Sequence, residues 1–350
     1  MKKIKIAQIG IAHDHATGAY ASFKALSHMF DVVGYCTVEG DEFYPERLHT
    51  DCFPDNERMT LEEILNNSEI EAVVIETEEE KLVKYATLAL QAGKHVQMDK
   101  PGGEDADEFE NMMRIAKEKN LVVHLGYMYR YNSFVQKLMQ DIKEGKYGEI
   151  YAVEAHMDCL HTKEKRDWLK RFQGGMMHFL GCHLVDLILS IQGLPDEIIP
   201  LNCATGFDGV TANDYGMAVF KYKNGVSFAK TCAAEPGGFM RRQLIVCGEK
   251  GTVELKPLEW FVRYPEGRCD QSTTASVMMK KDAEQHGWGL TWDKLDKTPA
   301  SRYDAMMEAF GRMIWGEIEN PYTYAYEVQL HRVVLAACGF DIDYKKEIIL

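Results

Sequence analysis

From Lys3 to Leu125 the chain alternates short apolar runs with stretches of helical spacing, and this alternation is its strongest constraint on fold. Lys3 to Gly10 reads as a strand ending in glycine, and His15 to Ser27 as a helix. A second strand spans Val32 to Thr37, a helix follows a cap at Thr60, and a third strand covers Ala72 to Ile75. The run TEEEKLVKYATLALQAGK is helical in spacing, KHVQM is a strand leading into Asp99-Lys100-Pro101, and a helix from Ala106 to Lys119 precedes the strand Leu121 to Leu125. Such βαβ repetition predicts a doubly wound parallel sheet of the Rossmann type. A boundary at Gly126-Tyr127 divides residues 1–126, a dinucleotide-binding domain, from residues 127–350.

The second half changes character. A helix reaching Glu144 leads to an alternating strand, Glu149 to Met157, and then to the segment GGMMHFLGCHLVD at 174–186. Further strands are expected at Asn202–Gly206, Tyr215–Tyr222, Val226–Cys232, Gln243–Gly248 and Gly251–Leu255. With the turns KNG and GEKG between neighbours, they predict an antiparallel meander in an α+β domain built on a large open sheet. Helices at Tyr303–Gly316 and Tyr326–Cys338 end the chain, and the last is expected to reach back to the first domain.

The loop after the first strand has the context of a dinucleotide fingerprint but not its glycines. Gly10, Ala12 and His15 stand where G-x-G-x-x-G would place them, so Gly10 keeps the tight turn while Ala12 and His15 add bulk. His13, Asp14 and His15 also suit a turn, with Asp14 as the helix N-cap. Thr37 and Glu39 occupy the end of the second strand, and no Arg or Lys lies in that turn for a 2′-phosphate. The expected cofactor is therefore NAD rather than NADP.

A net charge of -14 without a basic stripe argues against nucleic acid as a partner. No apolar run is long enough for a membrane span, and the N-terminal run is too short for a signal peptide. The nine cysteines are dispersed and fit a reducing compartment, so a cytoplasmic protein is expected. The local candidates for zinc are His156 with His161, or His178 with Cys182 and His183, and no metal is expected.

The segments AVVIET, QAGKHVQMDKP, GYMYRYN and GGMMHFLGCHLVDL, in this order, resemble the Gfo/Idh/MocA oxidoreductases, the glucose–fructose oxidoreductase and inositol dehydrogenase group. The resemblance matches Lys100 to the lysine of an E-K-P tripeptide, with Asp99 in place of the glutamate, and His183 to the histidine of G-x-H-x-x-D, with Gly181 and Asp186 in register. It departs at Phe179, where an aspartate is common, and at Thr77-Glu78-Glu79-Glu80, where T-P-N-H is usual. It implies a nicotinamide cofactor, a sugar or polyol substrate, and a homo-dimer or homo-tetramer assembled through the second sheet.

Oxidising a secondary alcohol needs a base for the hydroxyl proton beside a hydride acceptor. Lys100 is expected as that base, His183 as its partner or relay, Asp186 as the residue orienting His183, and His178 as a second base. The cofactor would rest on Gly10, Ala12, His13, His15, Thr37, Glu39, Thr77, Glu78, Asp99 and Lys100. The substrate would meet Arg130, His156, Trp168, His178 and His183. The expected activity is an NAD-dependent oxidation of a sugar, polyol or glycoside. Two alternatives stay open: oxidation, elimination and re-reduction through a keto-sugar with retained NAD, or a non-catalytic nucleotide sensor.

Overall fold

The computed structural model describes residues 2–48, 50–282, 293–296 and 300–350. Its first layer is made by β1 (Ile4–Ile9), α1 (Ala16–Ala25), β2 (Phe30–Cys36), α2 (Leu61–Asn66), β3 (Ala72–Ile75), α3 (Leu82–Gln91), β4 (His95–Met98), α4 (Ala106–Glu118) and β5 (Val123–Leu125). The strands form one five-stranded parallel sheet in the order β2-β1-β3-β4-β5. Strands buried on both faces, such as Ala72-Val73-Val74-Ile75, explain the unbroken apolar runs. Helix starts follow their caps: Thr60 and Glu63 form a reciprocal capping box, and Asp105 accepts from the Asp107 and Glu108 amides. The order of strands reverses between β1 and β3, which places a crevice at their C-terminal ends.

α5 (Ser133–Lys143), capped by Asn132, leads to β6 (Ile150–His156), α6 (Lys163–Trp168), α7 (Cys182–Gln192), β7 (Glu197–Pro200), β8 (Tyr215–Tyr222), β9 (Gly225–Cys232), β10 (Gln243–Gly248) and β11 (Gly251–Leu255). Then come β12 (Trp260–Arg263), β13 (Cys269–Ser272), β14 (Thr274–Met279), β15 (Asp293–Asp296), β16 (Ala300–Ser301), α8 (Asp304–Ile314) and α9 (Tyr324–Cys338). An eight-stranded sheet runs β15-β14-β11-β10-β6-β9-β8-β7, and β12-β13-β16 form a small three-stranded sheet. The pairings are antiparallel except β6 with β9, which are parallel. β6 therefore sits between β9 and β10 and interrupts the expected meander.

Asn202–Gly206 is not a strand. Only Cys203 bridges to Tyr215, because Asn202 donates to the Ala337 carbonyl at 2.9 Å and Gly206 turns away at φ +75°. The edge position goes instead to β7. α7 covers one face of the large sheet at β6 and β9, while α9 packs on α4 and α7. His331 of α9 stacks on Phe109 of α4 with ring centres 4.2 Å apart, so the C-terminal helix joins the two layers. α8 also returns to the first layer, where Phe310 meets Phe23 of α1. No helix among the described residues is long and apolar enough to cross a membrane.

Candidate active site at the junction of the two sheets

The loop after β1 begins with Gly10 at φ +87°, where an added Cβ would lie 2.6 Å from the Thr77 side chain. Only glycine lets β1 and β3 approach this closely at the turn. Ala12 and His13 are buried, and the Arg47 guanidinium donates to the carbonyls of Ile11, Ala12 and His13 at 2.6–2.8 Å. Asp14 is not the helix cap. It pairs with Lys165 at 3.1 Å and Arg47 at 3.4 Å, while the N-cap position of α1 is His15, whose side chain makes no capping bond.

The carboxylate that faces this loop from the end of β2 is Asp41. It accepts from the Ile11 amide at 3.1 Å and the Val38 amide at 2.8 Å, bridging the loop and the strand end. This is where the hydroxyls of a nucleotide ribose need an acceptor. Burial pushes the Asp41 carboxyl up to about 6, against the pull of those amides. Glu39 is exposed, with its carboxylate 3.7 Å from Lys81 and 3.5 Å from Lys84. Gly40, at φ +103°, turns the chain between the two acids. A sequence search fixed on the strand end misses Asp41 because that turn carries it back toward the loop.

Cations from other segments pair with Thr37 and Glu78. Arg58 donates to the Thr37 hydroxyl at 2.8 Å, although no basic residue neighbours Thr37 in sequence. Glu78 is buried and held by Arg171 at 2.7 Å and Lys81 at 3.0 Å; burial alone would raise its pKa, but these cations lower it. Thr77 is buried and donates to the Glu78 carbonyl at 3.1 Å. The glycine cradle at Gly10 and the acceptor Asp41 are the features that fit a dinucleotide. Gly10, Ala12, Thr37, Asp41 and Thr77 are the residues that would hold it.

At the end of β4, Lys100 is buried, and its ammonium donates to the Phe179 carbonyl at 3.2 Å. His13 Nε2 lies 3.1 Å from the Lys100 carbonyl, and His15 Nδ1 lies 3.0 Å from Asp99 Oδ2. Burial lowers His13 to about 3 and His15 well below the ordinary histidine range, leaving both imidazoles neutral. Burial followed by the neighbouring Asp99 pushes Glu76 in the opposite direction, well above the carboxylate range.

Before α7 the chain makes a π-helical turn, Met177–Gly181, a distortion that re-aims side chains and is frequent at functional sites. It brings His183 into a cavity of about 430 Å³ that is also lined by His15, Lys100, His161, Arg242 and Arg302. The His183 ring meets Tyr129 edge-on at 4.9 Å, and its Nδ1 has no hydrogen-bond partner. Burial, then Lys100 and His15, keeps it neutral. Arg302 is neutralised by Glu259 through bonds of 2.7 and 3.1 Å, and Tyr129 donates to the same carboxylate. The sequence offered no sign that Tyr129, Glu259 and Arg302 join His183, because they come from three separate segments.

Asp186 does not meet His183. It receives three bonds of 2.8–3.0 Å from Arg130, which also holds Glu327 at 2.6 and 3.0 Å in a buried cluster. Arg130 is thereby committed to the protein core and does not line the cavity. His178, fully buried, stacks on Phe172 at 4.9 Å and has Nε2 3.0 Å from the Gly103 carbonyl, also outside the cavity lining. His156 lies against Phe228 at 5.3 Å and does not line the cavity. Trp168 supports the lining from behind, edge-on to Phe179 at 5.3 Å. Lys100, His15 and His183 thus converge on the cavity, while His156, His178, Arg130 and Asp186 do not.

Residues 4–127 match the family described as oxidoreductase family, NAD-binding Rossmann fold, and residues 135–254 match the GFO/IDH/MocA C-terminal domain. An uncharacterized oxidoreductase of Schizosaccharomyces pombe is 29% identical over 57% of this chain and 54% of its own length. The scyllo-inositol 2-dehydrogenase (NADP(+)) IolW of Bacillus subtilis is 29% identical over 42% of each chain. The chain thus spans about half the length of these curated relatives. Among solved structures, the aldose-aldose oxidoreductase from Caulobacter crescentus, complexed with glycerol, superposes over 97% of this chain and 98% of its own, with a TM-score of 0.73 and 17% identity. With an NAD(P)-binding Rossmann domain followed by this C-terminal domain, the chain belongs to the Gfo/Idh/MocA oxidoreductase family.

Proposed function

We propose that the protein is an NAD-dependent dehydrogenase that oxidises a secondary hydroxyl of a sugar, polyol or glycoside. The observation that carries this reading is the convergence of Lys100, from the first sheet, and His183, from α7, on one cavity at the C-terminal edge of the parallel sheet. A bound nicotinamide would supply the hydride acceptor. Lys100, acting as the neutral amine, takes the hydroxyl proton when a substrate hydroxyl replaces the Phe179 carbonyl as its partner. Neutral His183, with a free ring nitrogen, holds the hydroxyl oxygen or passes its proton onward.

Asp41 at the ribose position supports NAD, whereas Arg58 beside Thr37 offers a cation to a 2′-phosphate. The relatives' names support the substrate class, the inositol dehydrogenase most directly. Self-association through the open face of the large sheet, where Tyr151 and Val226 are exposed, completes the reading, with the protein acting in the cytoplasm. Sedimentation of the purified protein at two concentrations tests the assembly.

The alternative of oxidation followed by elimination retains one supporting observation. His161 lines the cavity, and burial lowers it to about 4, so it is a neutral imidazole able to take a second proton. A panel of sugars, polyols and glycosides, offered with NAD and with NADP, tests both readings through NADH or NADPH absorbance and product analysis. Net reduced cofactor supports dehydrogenation, and cleaved glycoside without net reduced cofactor supports elimination. Cofactor binding with no product from any member would overturn both.

A further inference from the structure

The cavity that takes Lys100 and His183 is walled by more arginine than its carboxylates can balance. Arg242 beside the start of β10, Arg263 at the end of β12 and Arg302 after β16 all line it. Arg302 is spent: its three nitrogens reach Glu259 at 2.7 and 3.1 Å and the Tyr303 hydroxyl. The same buried Glu259 carboxylate also accepts from Tyr129. Arg242 comes no closer to it than 3.8 Å, beyond hydrogen-bonding distance. The remaining contacts of Arg242 are a long bond of 3.4 Å to the Tyr129 hydroxyl and the face of the Phe239 ring at 4.0 Å, and its Nε has no hydrogen-bond partner. Arg263 is exposed and makes no ion pair with any described residue. The one carboxylate among the described lining residues, Asp14, is already paired with Lys165 and Arg47. Two buried guanidiniums thus share one acid, and a positive charge stands unbalanced at the cavity of a chain whose net charge is -14. An arginine cannot shed its proton to escape that cost, so the balance has to come from a bound anion.

We propose that the cavity selects an anionic sugar, one bearing a carboxylate or a phosphate, whose charged group is held by Arg242 and Arg263. This names the substrate class of the proposed sugar oxidation and rests on that reading for the hydroxyl that faces Lys100. The planar guanidinium suits either anion, and both share the chemistry of oxygens that accept paired N–H bonds. Arg242 supplies the buried half of the grip and Arg263 the exposed half, on the side of the cavity built by the second domain. Lys100 comes from the first domain, so the charged group and the reacting hydroxyl are held from opposite sides. A neutral sugar leaves the Arg242 donors unpaired in a desolvated site, which is how a polar pocket rejects an analogue lacking the group it was built to bind.

The test separates affinity from turnover. Full-length protein with NADH present, which cannot accept a hydride, is titrated by calorimetry with D-glucuronate, D-galacturonate and glucose-6-phosphate, and with neutral D-glucose and D-galactose. At least one anion should bind about 10- to 100-fold more tightly than its neutral parent, and added salt should erode the advantage. The two acids against the phosphate tell which anion the site takes. Arg242→Gln should remove most of the difference, and Arg242→Lys, which keeps the charge, should restore part of it. Circular dichroism checks that each variant is folded, and Arg263→Gln, at an exposed position, gives a second reading of the same preference. Equal affinity for the anions and their neutral parents would overturn the proposal. An anion preference left unchanged in both folded glutamine variants would also overturn it, marking the anion as bound elsewhere. Turnover of the same five sugars with NAD is scored separately. A preferred anion that is not oxidised would sink the oxidation and leave the anion site standing, whereas oxidised neutral sugars with no anion preference would do the reverse.

Discussion

The Lys100 ammonium donates to the Phe179 carbonyl at 3.2 Å, a bond that spans from the end of the parallel sheet to the π-helical turn before α7. The family position that is commonly an aspartate thus meets the lysine through its backbone. In place of a carboxylate, a phenyl ring lies 5.3 Å from the ammonium. Lys100→Met should lower kcat by about 10² to 10⁴ while leaving the dinucleotide Kd nearly unchanged. Steady-state kinetics with fluorescence titration of the cofactor measures both, and retention of more than half the wild-type kcat would remove Lys100 from the chemistry.

Under the proposed function, Asp41 favours NAD and Arg58 a 2′-phosphate at the same end of the cofactor. Loss of a bond to a charged group costs about 1.5–3 kcal/mol, or roughly 10- to 100-fold in affinity. Asp41→Ala should therefore weaken NAD by that factor, whereas Arg58→Ala should weaken NADP and spare NAD. Calorimetric titration of each variant with both dinucleotides checks this. A loss of NADP affinity in Asp41→Ala equal to its loss of NAD affinity would remove the carboxylate from the discrimination.

Periodicity carries the parallel sheet because strands such as β3 are buried on both sides, and α2 and α4 have caps at Thr60 and Asp105. The same local information places Gly10, Lys100 and His183 in their correct elements. It fails where partners come from distant segments. Asp186 sits three residues from His183, yet the approach of Arg130 gives it a different neighbour. Asp41, Arg58 and Glu259 carry no local signal, since only the folded chain brings them to Ile11, Thr37 and Arg302. The insertion of β6 between β9 and β10 is likewise a tertiary choice that strand patterns do not encode.

His178 should act on stability through pH. Burial lowers it to about 4, with the Gly103 carbonyl pulling upward and His331 and Lys100 facing it as like charges. A histidine depressed in the folded state binds its proton more readily when unfolded, so its contribution is present above about 6.5 and is lost as pH falls toward 4. The slope is about 1.4 kcal/mol per pH unit within that window. Other buried groups titrate there too, including Asp41 and Glu79 with the opposite sign. The informative quantity is therefore the difference between wild type and His178→Gln in urea unfolding at several pH values. That difference should change by about 1.4 kcal/mol per unit below pH 6.5 and flatten above it. A difference independent of pH would show that His178 is not buried as a neutral ring.

Arg130 separates a structural role from a substrate role. Its guanidinium is buried and bonded to Asp186 and Glu327, and it packs 3.7 Å over the Tyr322 ring. Burial pushes both carboxyls upward and the shared guanidinium pulls them back, so its removal leaves two like charges without a counter-ion in the core. Breaking such a cluster costs about 3–5 kcal/mol, more than its replacement by a wholly apolar group of side chains would. Arg130→Met should therefore lower unfolding free energy by about that amount, while the triple change Arg130→Met, Asp186→Leu, Glu327→Leu should recover much of it. The KM of the folded fraction should stay near wild type, because none of the three side chains lines the cavity. Urea unfolding with kinetics on the same preparations checks this. A raised KM with unchanged stability in Arg130→Met would return the arginine to the substrate.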